Sequence, residues 1–363
     1  MGTPAIQRQK SWSKLLGTLI ARNNLASEDT AWAMDQVMSG TATAAQIAGF
    51  AVGLRAKGET PAEIAGMADA MLAHAVRVEV DGAAVDVVGT GGDQAGTVNI
   101  STMAAILTAA AGVPVIKHGA RATSSKSGAA DVLEALGVAV DLPPASVRRC
   151  LDEIGIGFCF APSYHPGFRH GAAPRRELGI PTAFNFLGPL TNPAQPAAGL
   201  VGCANPVMAP VLAEVFAGRG ASVLLVRGDD GLDELTTTTT TTVWVVHDGT
   251  VRTTTLDPTR LGMRPATPEQ LRGDSPEVNA RVVRELVAGK PGAVRDAAVL
   301  NAAGAVAAYR NLVGDLDGGM AGDLHEALAP GLTAAVAAID SGAAARVLER
   351  WAELSTELSA KRN

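Results

Sequence analysis

The sequence is poor in cysteine and has no excess of positive charge. Its three cysteines, Cys150, Cys159 and Cys203, show no C-x-x-C spacing, so we expect buried thiols in a reducing compartment, neither disulfides nor zinc ligands. The net charge of −6 argues against a protein held on nucleic acid by a general basic field. The hydrophobic content of 47% is enough for a large core in two domains, or in one domain with a satellite.

Long hydrophobic runs are also missing. The longest nearly apolar stretch, residues 103–116, is too short to span a bilayer and contains Thr108 and Pro114. Residues 1–6 lack the apolar region of a signal peptide, and Ile6 breaks the myristoylation pattern. We therefore expect a soluble, cytoplasmic protein that binds neither membranes nor nucleic acid.

The first part of the chain has the pattern of a helical domain. Residues 11–78 contain no alternation of the strand type, and Thr41 and the pair Thr60-Pro61 are typical of helix starts. Apolar residues recur three and four positions apart, which predicts helices at 12–20, 31–38, 44–54 and 62–75.

From Val85 onward, short apolar runs alternate with helical segments. Such an alternation predicts right-handed crossovers and a mainly parallel sheet covered by helices on both faces, so the fold class is α/β. The predicted strands are 85–88, 113–116, 157–160, 200–203, 223–226 and 243–246. The helices between them are predicted near 101–111, 127–136, 144–154 and 206–218.

Residues 164–192 interrupt this rhythm. His165–Leu178 is predicted to be one helix and residues 187–193 a turn cluster, so the segment fits an excursion back to the helical domain. The seven consecutive threonines 236–242 are interpreted as a loop that enters a β-branched strand. The C-terminal third is predicted to end in helices at 296–310, 332–339 and 343–358.

The most informative motif is a glycine loop at the end of the first strand. Residues 85–93 read VDVVGTGGD, an apolar run that ends in three glycines within four positions. Glycine lets a ligand approach the backbone, and the N–H groups of a following helix start favour anions. Gln94 excludes the dinucleotide fingerprint, which needs glycine there. Asn99 is a candidate helix cap, and Ser101 and Thr102 add hydroxyls, so we predict a phosphate site.

A second loop, residues 117–128, is cationic and rich in hydroxyls. Lys117, Arg121 and Lys126 supply its charge. Such a loop can be merely solvated, but this one follows a buried strand and therefore lies at the carboxyl end of the sheet, where α/β proteins bind ligands. Two such loops on one rim predict a phosphorylated small molecule as the ligand.

The acidic residues that follow the strand 223–226 have two interpretations. Asp229 and Asp230 are interpreted as a solvated turn. Asp233 and Glu234 are better candidates for Mg²⁺, because this cation takes one or two carboxylates together with waters and substrate phosphates.

Other polar residues carry a weaker signal. The histidines show no metal-ligand spacing and are interpreted as structural. Arg175 and Arg176 are either a surface pair, or one of them holds a substrate carboxylate through a bidentate guanidinium contact.

Taken together, these motifs resemble the anthranilate phosphoribosyltransferase family over nearly the whole chain. The family belongs with the phosphoribosyltransferases and nucleoside phosphorylases, and it implies a homodimer that forms through the helical domains. It also implies a helical domain at 1–80 with the excursion 164–192, and an α/β domain at 81–363. The matching motifs are Gly89-Thr-Gly-Gly-Asp93, Asn99-Ile-Ser-Thr102, Lys117-His-Gly, Ser124-Ser125, Ala130-Asp131-Val-Leu-Glu-Ala-Leu-Gly137, Gly157-Phe-Cys-Phe-Ala-Pro162, Tyr164-His-Pro166, Asn185-Phe-Leu-Gly-Pro-Leu-Thr-Asn-Pro193 and Asp233-Glu234.

The resemblance also implies the roles of individual residues. Two Mg²⁺ ions are expected at Ser101, Asp233 and Glu234, and anthranilate is expected at Gly89, Ala120 and Arg175, with its carboxylate on Arg175. The residues expected around phosphoribosyl pyrophosphate are Gly89, Gly92, Asp93, Thr97, Asn99, Ile100, Ser101, Thr102, Lys117, His118, Gly119, Ala120, Arg121, Ala122, Thr123, Ser124, Ser125 and Ala129.

One position departs from the family pattern. The family has Lys-His-Gly-Asn where this chain has Ala120 after Gly119. The missing asparagine is expected to contact the aromatic acceptor, and it tolerates left-handed backbone geometry better than alanine does. We therefore expect the affinity for the acceptor, or its identity, to change more than the binding of phosphoribosyl pyrophosphate.

The expected reaction transfers a 5-phosphoribosyl group from phosphoribosyl pyrophosphate to the amine of anthranilate and releases pyrophosphate. Three alternatives remain open. They are a pyrimidine-nucleoside phosphorylase, the same transfer to a different aromatic amine, and an inactive homologue that binds nucleic acid.

Overall fold

The computed structural model describes residues 10–122, 126–316, 318–320 and 322–361. The chain divides into two compact units. The helical unit comprises Met1–Ala75 and His165–Leu187, and the α/β unit comprises Val76–Tyr164 and Gly188–Asn363.

The described residues form α-helices and one large sheet. The helices are α1 (Trp12–Ile20), α2 (Ser27–Met38), α3 (Ala44–Lys57), α4 (Pro61–Ala73), α5 (Ile100–Ala110), α6 (Ala129–Ala135), α7 (Pro144–Ile154), α8 (Ala161–Tyr164), α9 (Ala172–Leu178), α10 (Met208–Gly218), α11 (Pro276–Val287), α12 (Ala293–Leu312), α13 (Leu324–Asp340) and α14 (Ala343–Ala360). The strands are β1 (Val85–Gly89), β2 (Val115–Gly119), β3 (Ile156–Phe160), β4 (Ala198–Gly202), β5 (Ser222–Gly228), β6 (Thr241–His247) and β7 (Thr250–Leu256).

Helices α3 and α4 of the helical unit begin at side chains that cap them. Thr60 caps α4 in a reciprocal arrangement with Glu63, as the sequence predicts. The cap of α3 is Thr43, paired with Gln46, so the prediction that Thr41 starts this helix is wrong. Thr41 donates instead to the carbonyl of Gln36 at 3.1 Å.

The segment predicted as one helix at 165–178 is two shorter elements. A 3-10 helix covers Pro166–Gly171, and α9 follows it. Glycines at 167 and 171 weaken a continuous α-helix. Gly167 is also packed so closely against α2 that an added Cβ would lie 2.4 Å from the carbonyl oxygen of Met38.

The sheet of the α/β unit has the order β3-β2-β1-β4-β5-β6-β7. The first five strands in this order pair in parallel, and β6 and β7 are antiparallel. The predicted mainly parallel sheet with helices is thus confirmed. Strand β7 was not predicted, because it is an exposed edge strand in which polar threonines and an arginine hide the apolar alternation.

Two further predictions concern the C-terminal part of the α/β unit. The threonine run forms a loop up to residue 240 and enters β6 at Thr241, in line with the sequence interpretation. The helix predicted at 332–339 is longer: α13 begins at Leu324 and continues through Pro330. Among the described helices, none is by itself long and apolar enough to cross a membrane, although α13 and α14, bent by 70°, reach that length and composition as a pair.

Tight packing against the sheet fixes the positions of the strand ends. Helix α5 is buried along most of its length, and the alanine-rich α12 packs against it and against β4. Gly304 on α12 lies so close to the sheet that an added Cβ would be 3.0 Å from the side chain of Leu200. Strands β1 and β2 pair in parallel with Val85 opposite Val115, so they end side by side, at Gly89 and Gly119. Each strand then runs into a loop that leads to a helix.

Candidate active site at the strand ends

Glycines at the end of β1 let the backbone turn and let a carboxylate come close. Gly91 and Gly92 have φ angles of 65° and 86°, in the left-handed region that favours glycine. The N–H of Gly91 donates to Asp233 Oδ2 at 2.7 Å. A Cβ at Gly89 would lie 2.2 Å from the same oxygen. The loop therefore needs glycine both for its turn and for the docking of Asp233.

Three acidic side chains, Asp93, Asp233 and Glu234, form a carboxylate cluster beside this loop. Burial raises the pKa of Asp233 to about 6, and the nearby charge of Asp93 adds to the rise. Burial, followed by the charge of Asp233, raises the pKa of Glu234 well above its usual value, although part of this side chain stays exposed. Burial also raises the pKa of Asp93, which is hydrogen-bonded to Asp233. Such a group of carboxylates favours a bound cation.

Lys117 on β2 is a buried cation that faces the carboxylate cluster. Its Nζ donates to the carbonyl of Val87 and, at 3.3 Å, to Ser101 Oγ. Burial lowers the pKa of Lys117, while the negative charges of Asp86, Glu234 and Asp233 oppose that change. A buried ammonium group therefore lies between the first two strands and the start of α5.

A second buried carboxylate, Asp86 on β1, joins the strand ends to the turn at 188–193. Asp86 accepts from the backbone N–H of His118 at 3.2 Å and from Asn192 Nδ2 at 2.8 Å, and burial raises its pKa to about 6. Asn192 also donates to the carbonyl of Ile116 at 2.8 Å. His118 Nδ1 lies 3.0 Å from the carbonyl oxygen of Gly188, and this nitrogen carries the proton because a carbonyl only accepts.

The loop after β2 is held by helix α6. Arg121 forms ion pairs with Asp131 and Glu134, and its guanidinium lies 5.5 Å from the ring centre of Phe160. Asp131 also accepts from the backbone N–H groups of Ala122 and Gly128, at 2.9 and 2.8 Å. Thus the arginine of this loop already has carboxylate partners.

These elements surround a cavity of about 870 Å³, which we call the strand-end cavity. Most residues predicted to bind a phosphorylated ligand line it: Gly89, Gly92, Asp93, Thr97, Asn99, Ile100, Ser101, Lys117, His118, Gly119, Ala120, Arg121, Ala122, Ala129, Asp233 and Glu234. Thr102 is buried within α5 and is not part of this lining. Thr123, Ser124 and Ser125 lie outside the described residues.

Most of the chain matches two family domains. Residues 13–75 match the glycosyl transferase family, helical bundle domain, and residues 81–345 match the glycosyl transferase family, a/b domain. An anthranilate phosphoribosyltransferase of Saccharopolyspora erythraea is 63% identical to this chain, over 99% of each sequence. The chain belongs to the anthranilate phosphoribosyltransferase family.

Solved structures of this family have the same fold. The anthranilate phosphoribosyltransferase of Thermus thermophilus is 38% identical, with a TM-score of 0.85 over 94% of this chain and 99% of that one. The Saccharomyces cerevisiae enzyme, in complex with PRPP and Mg, is 27% identical, with a TM-score of 0.85 over 95% and 98% of the two chains. The yeast enzyme also has a structure in complex with 4-fluoroanthranilate. The comparisons do not favour the phosphorylase or nucleic-acid alternatives.

Arg175, the residue predicted to hold a carboxylate, belongs to the helical unit. It lies on α9, half-buried, with its guanidinium 4.9 Å from the ring centre of Phe168 and 5.7 Å from that of Phe184. Burial lowers its pKa. Two aromatic rings therefore hold this cation in place, whereas the neighbouring Arg176 is exposed.

The sequence analysis missed part of the cavity wall. Residues 271–279 contribute Arg272, Gly273, Asp274 and Asn279, and the end of the second loop contributes Lys126, Ser127 and Gly128. Lys126, Ser127 and Gly128 stood in the predicted loop 117–128, so only residues 271–279 were missed outright, because nothing local in them indicates contact with a glycine loop far earlier in the chain. Asn192 was also missed as the partner of Asp86, although it stands in a family motif.

The residues present fit the divalent cation that this family implies. Within the described ranges, no three His, Cys, Asp or Glu side chains are arranged as a ready-made metal site. Mg²⁺ does not need one, because it commonly takes one or two carboxylates and completes its shell with waters and substrate phosphates. The strand-end cavity offers the carboxyl groups of Asp233 and Glu234, and the hydroxyl of Ser101, in one lining.

Proposed function

We propose that this chain transfers the 5-phosphoribosyl group of phosphoribosyl pyrophosphate to the amine of anthranilate, with release of pyrophosphate. One observation carries the proposal: the strand-end cavity combines a glycine loop, a helix start and buried Lys117 with the carboxylate cluster. Amide groups and a cation suit phosphate groups, and carboxylates beside them suit a phosphate-bound metal ion. A sugar diphosphate needs both kinds of group.

The donor binds through backbone and side-chain groups that the fold has already positioned. The loop 89–97 offers backbone N–H groups, and α5 starts at Ile100 with Asn99 before it, so the positive end of the helix dipole favours a phosphate there. Asn99 is itself fixed by Ser127, whose carbonyl accepts from Asn99 Nδ2 at 3.0 Å. Positioning of the donor costs little reorganisation at the moment of reaction.

Ser101, Asp233 and Glu234 are the residues that would hold Mg²⁺, and we propose two ions. When bound, the metal neutralises the charge that develops on the departing pyrophosphate. The raised pKa values of Asp233 and Glu234 support this role, because carboxylates held together in a buried place gain most from a cation.

The reaction itself requires little acid–base chemistry. The amine of anthranilate is neutral near pH 7, so its lone pair attacks C1 of the ribose as the bond to pyrophosphate breaks. Charge develops on C1 as in glycoside hydrolysis, and the amine loses one proton to water when the new bond has formed. Catalysis then consists of positioning and electrostatic stabilisation by groups such as Lys117.

Arg175 is proposed to bind the carboxylate of the acceptor. Its guanidinium is held by Phe168 and Phe184, and a planar guanidinium donates two parallel hydrogen bonds to a carboxylate. Ala120 lines the strand-end cavity and is exposed. Its methyl group stands where the family has the amide of asparagine, so a polar contact to the acceptor is lost.

The test follows anthranilate fluorescence in the presence of phosphoribosyl pyrophosphate and Mg²⁺. We expect the fluorescence to decay with this chain, and the Ala120→Asn variant to show a lower KM for anthranilate and an unchanged KM for the donor. Equal KM values in both proteins would show that the missing amide is not needed. No decay in either protein would contradict the proposed acceptor.

We also propose that the protein is a homodimer and is located in the cytoplasm. Sedimentation equilibrium tests the first, with twice the chain mass of 36.9 kDa expected.

A further inference from the structure

Residues 271–274 lie directly against the glycine loop. The N–H of Val98 donates to the carbonyl of Leu271 at 2.9 Å, and the N–H of Gly273 donates to the carbonyl of Gly96 at 2.8 Å. Between these two bonds, Thr97 and Arg272 pair as an isolated antiparallel bridge. The contact is tight, because a Cβ at position 273 would lie 2.6 Å from the carbonyl oxygen of Thr97.

Asn279 holds this segment in place from α11. It is buried, and its Oδ1 accepts from the backbone N–H of Asp274 at 2.9 Å. Its Nδ2 donates to Asn99 Oδ1, also at 2.9 Å. The segment is therefore tied both to the glycine loop and to the start of α5. Its backbone forms a fixed outer wall of the strand-end cavity.

Among the described residues, four lysines and arginines line this cavity, and three of them already face carboxylates. Lys117 faces Asp86 and the carboxylate cluster, Arg121 pairs with two acids on α6, and Lys126 pairs with Asp274 at 2.7 Å. The fourth cation is Arg272, which is exposed. Within the described ranges its guanidinium forms no ion pair or hydrogen bond, and its charge contributes only the last and smallest part of the lowered pKa of Glu269.

We propose that Arg272 binds a phosphate group of the sugar diphosphate donor; this rests on the proposed function. Arg272 is in register with Thr97 of the loop that is expected to bind the donor. A guanidinium matches the geometry of a phosphate and donates two hydrogen bonds to it, and it loses no ion pair with a described residue when it does so. The segment 271–274 thus adds a contact to phosphoribosyl pyrophosphate, through Arg272, to those of the glycine loop and the second loop.

Calorimetry on the full chain tests this assignment. We expect the Arg272→Gln variant to bind phosphoribosyl pyrophosphate with Mg²⁺ roughly tenfold more weakly than the unaltered chain, the loss of one charge-assisted contact. Arg272→Lys is expected to recover part of that affinity, because it keeps the charge but not the bidentate geometry. Arg281→Gln is the matched control: this exposed arginine lies on α11 and does not line the cavity.

Two fragments of the donor identify the phosphate group. A weaker affinity of Arg272→Gln for pyrophosphate with Mg²⁺ assigns Arg272 to the leaving group, and a weaker affinity for ribose 5-phosphate assigns it to the 5-phosphate. If Arg272 had only a structural role, Arg272→Gln would lower the unfolding temperature and leave the affinity for phosphoribosyl pyrophosphate unchanged.

Equal donor affinity in Arg272→Gln and the unaltered chain would overturn the inference and leave the proposed function standing. An unaltered chain that takes up no donor would contradict the proposed function, and the role of Arg272 with it.

Discussion

Two cavities of the α/β unit differ in size and in the polar groups that line them. The larger one, about 1110 Å³, lies between the first turn of α12 and the second half of α13. Its Arg295 is paired with Asp340 at 2.6 Å, and the rest of its lining is mixed, with Leu261, Val299 and Leu332 among its apolar residues. The strand-end cavity is smaller, yet it joins a glycine loop, a helix start and acidic groups of raised pKa.

The two cavities differ in how their charged side chains are grouped. In the larger cavity Arg295 is paired with Asp340, and Asp296, whose pKa is raised by burial, faces the positive charges of Arg295 and Arg264. In the strand-end cavity the Asp93 and Asp233 carboxylates share one hydrogen bond, with Glu234 beside them, which is unfavourable unless a cation binds or protons are retained. The carboxylate cluster beside the glycine loop therefore favours the strand-end cavity as the functional one, although the other cavity is larger.

The largest effect is expected from removing the charge of Asp233. Asp233→Asn keeps an oxygen that accepts from the N–H of Gly91 but loses the carboxylate that we propose binds the metal, so kcat/KM should fall by ~10²-fold or more. Steady-state kinetics over a range of Mg²⁺ concentrations measures this. The control Asp229→Asn removes an exposed carboxylate that accepts from Thr242, and it should stay close to the unaltered chain. Equal losses of kcat/KM in Asp233→Asn and Asp229→Asn would contradict a special role for the pair Asp233-Glu234.

Removal of the Arg175 guanidinium, which we propose binds the acceptor, should have the next largest effect. Arg175→Ala removes the guanidinium held against Phe168 and Phe184, and we expect the KM for anthranilate to rise by roughly tenfold or more while the KM for the donor stays unchanged. Arg176→Ala, which changes the exposed neighbour, serves as the control. If both variants kept the KM of the unaltered chain, Arg175 would have no part in acceptor binding.

A pH titration should show the carboxylate cluster directly. The pKa of Asp233 is raised to about 6, so this group is ionised above that pH and gains a proton below it. Since a protonated carboxyl does not bind Mg²⁺, affinity for Mg²⁺-pyrophosphate should fall as the pH drops through about 6, by roughly tenfold per unit for Asp233 alone, and the raised pKa of Glu234 should make the fall steeper. Calorimetry between pH 5 and 8 measures the slope. A flat profile would contradict the role of Asp233.

The smallest effect is expected in the larger cavity. Arg264 lines it and is exposed, so Arg264→Gln should change kcat/KM and unfolding temperature within the scatter of ordinary surface substitutions. A loss of activity comparable to that of Asp233→Asn would mean that the larger cavity has a function as well.

How much of the site the sequence predicts depends on how local its chemistry is. The glycines at 89–92 stand at the end of β1, Lys117 lies in β2 two residues before its end, although the sequence placed it in the loop, and the pair Asp233-Glu234 follows β5; the end of a parallel strand is visible in the sequence. The partners that complete the site are distant. Asn279 and Asn99 are 180 positions apart, and Asn192 and Asp86 are 106 apart. Neither pair follows from periodicity or turn chemistry, so only the packed fold brings them together.

The same reasoning explains the errors in the fold. Strand β7 escaped prediction because its exposed threonines carry no apolar alternation, and α13 was predicted too short because Pro330 is typical of a helix boundary. Buried elements such as β1 and α5 were predicted well, since burial on all sides leaves a continuous apolar pattern.

The central claim is that a sugar diphosphate binds at the ends of β1 and β2 together with a divalent cation. Isothermal calorimetry of the unaltered chain with phosphoribosyl pyrophosphate, in Mg²⁺ and then in excess chelator, tests it most directly. The account predicts saturable binding that is strong with Mg²⁺ and greatly weakened without it. Absence of binding in Mg²⁺, or equal binding in chelator, would contradict it.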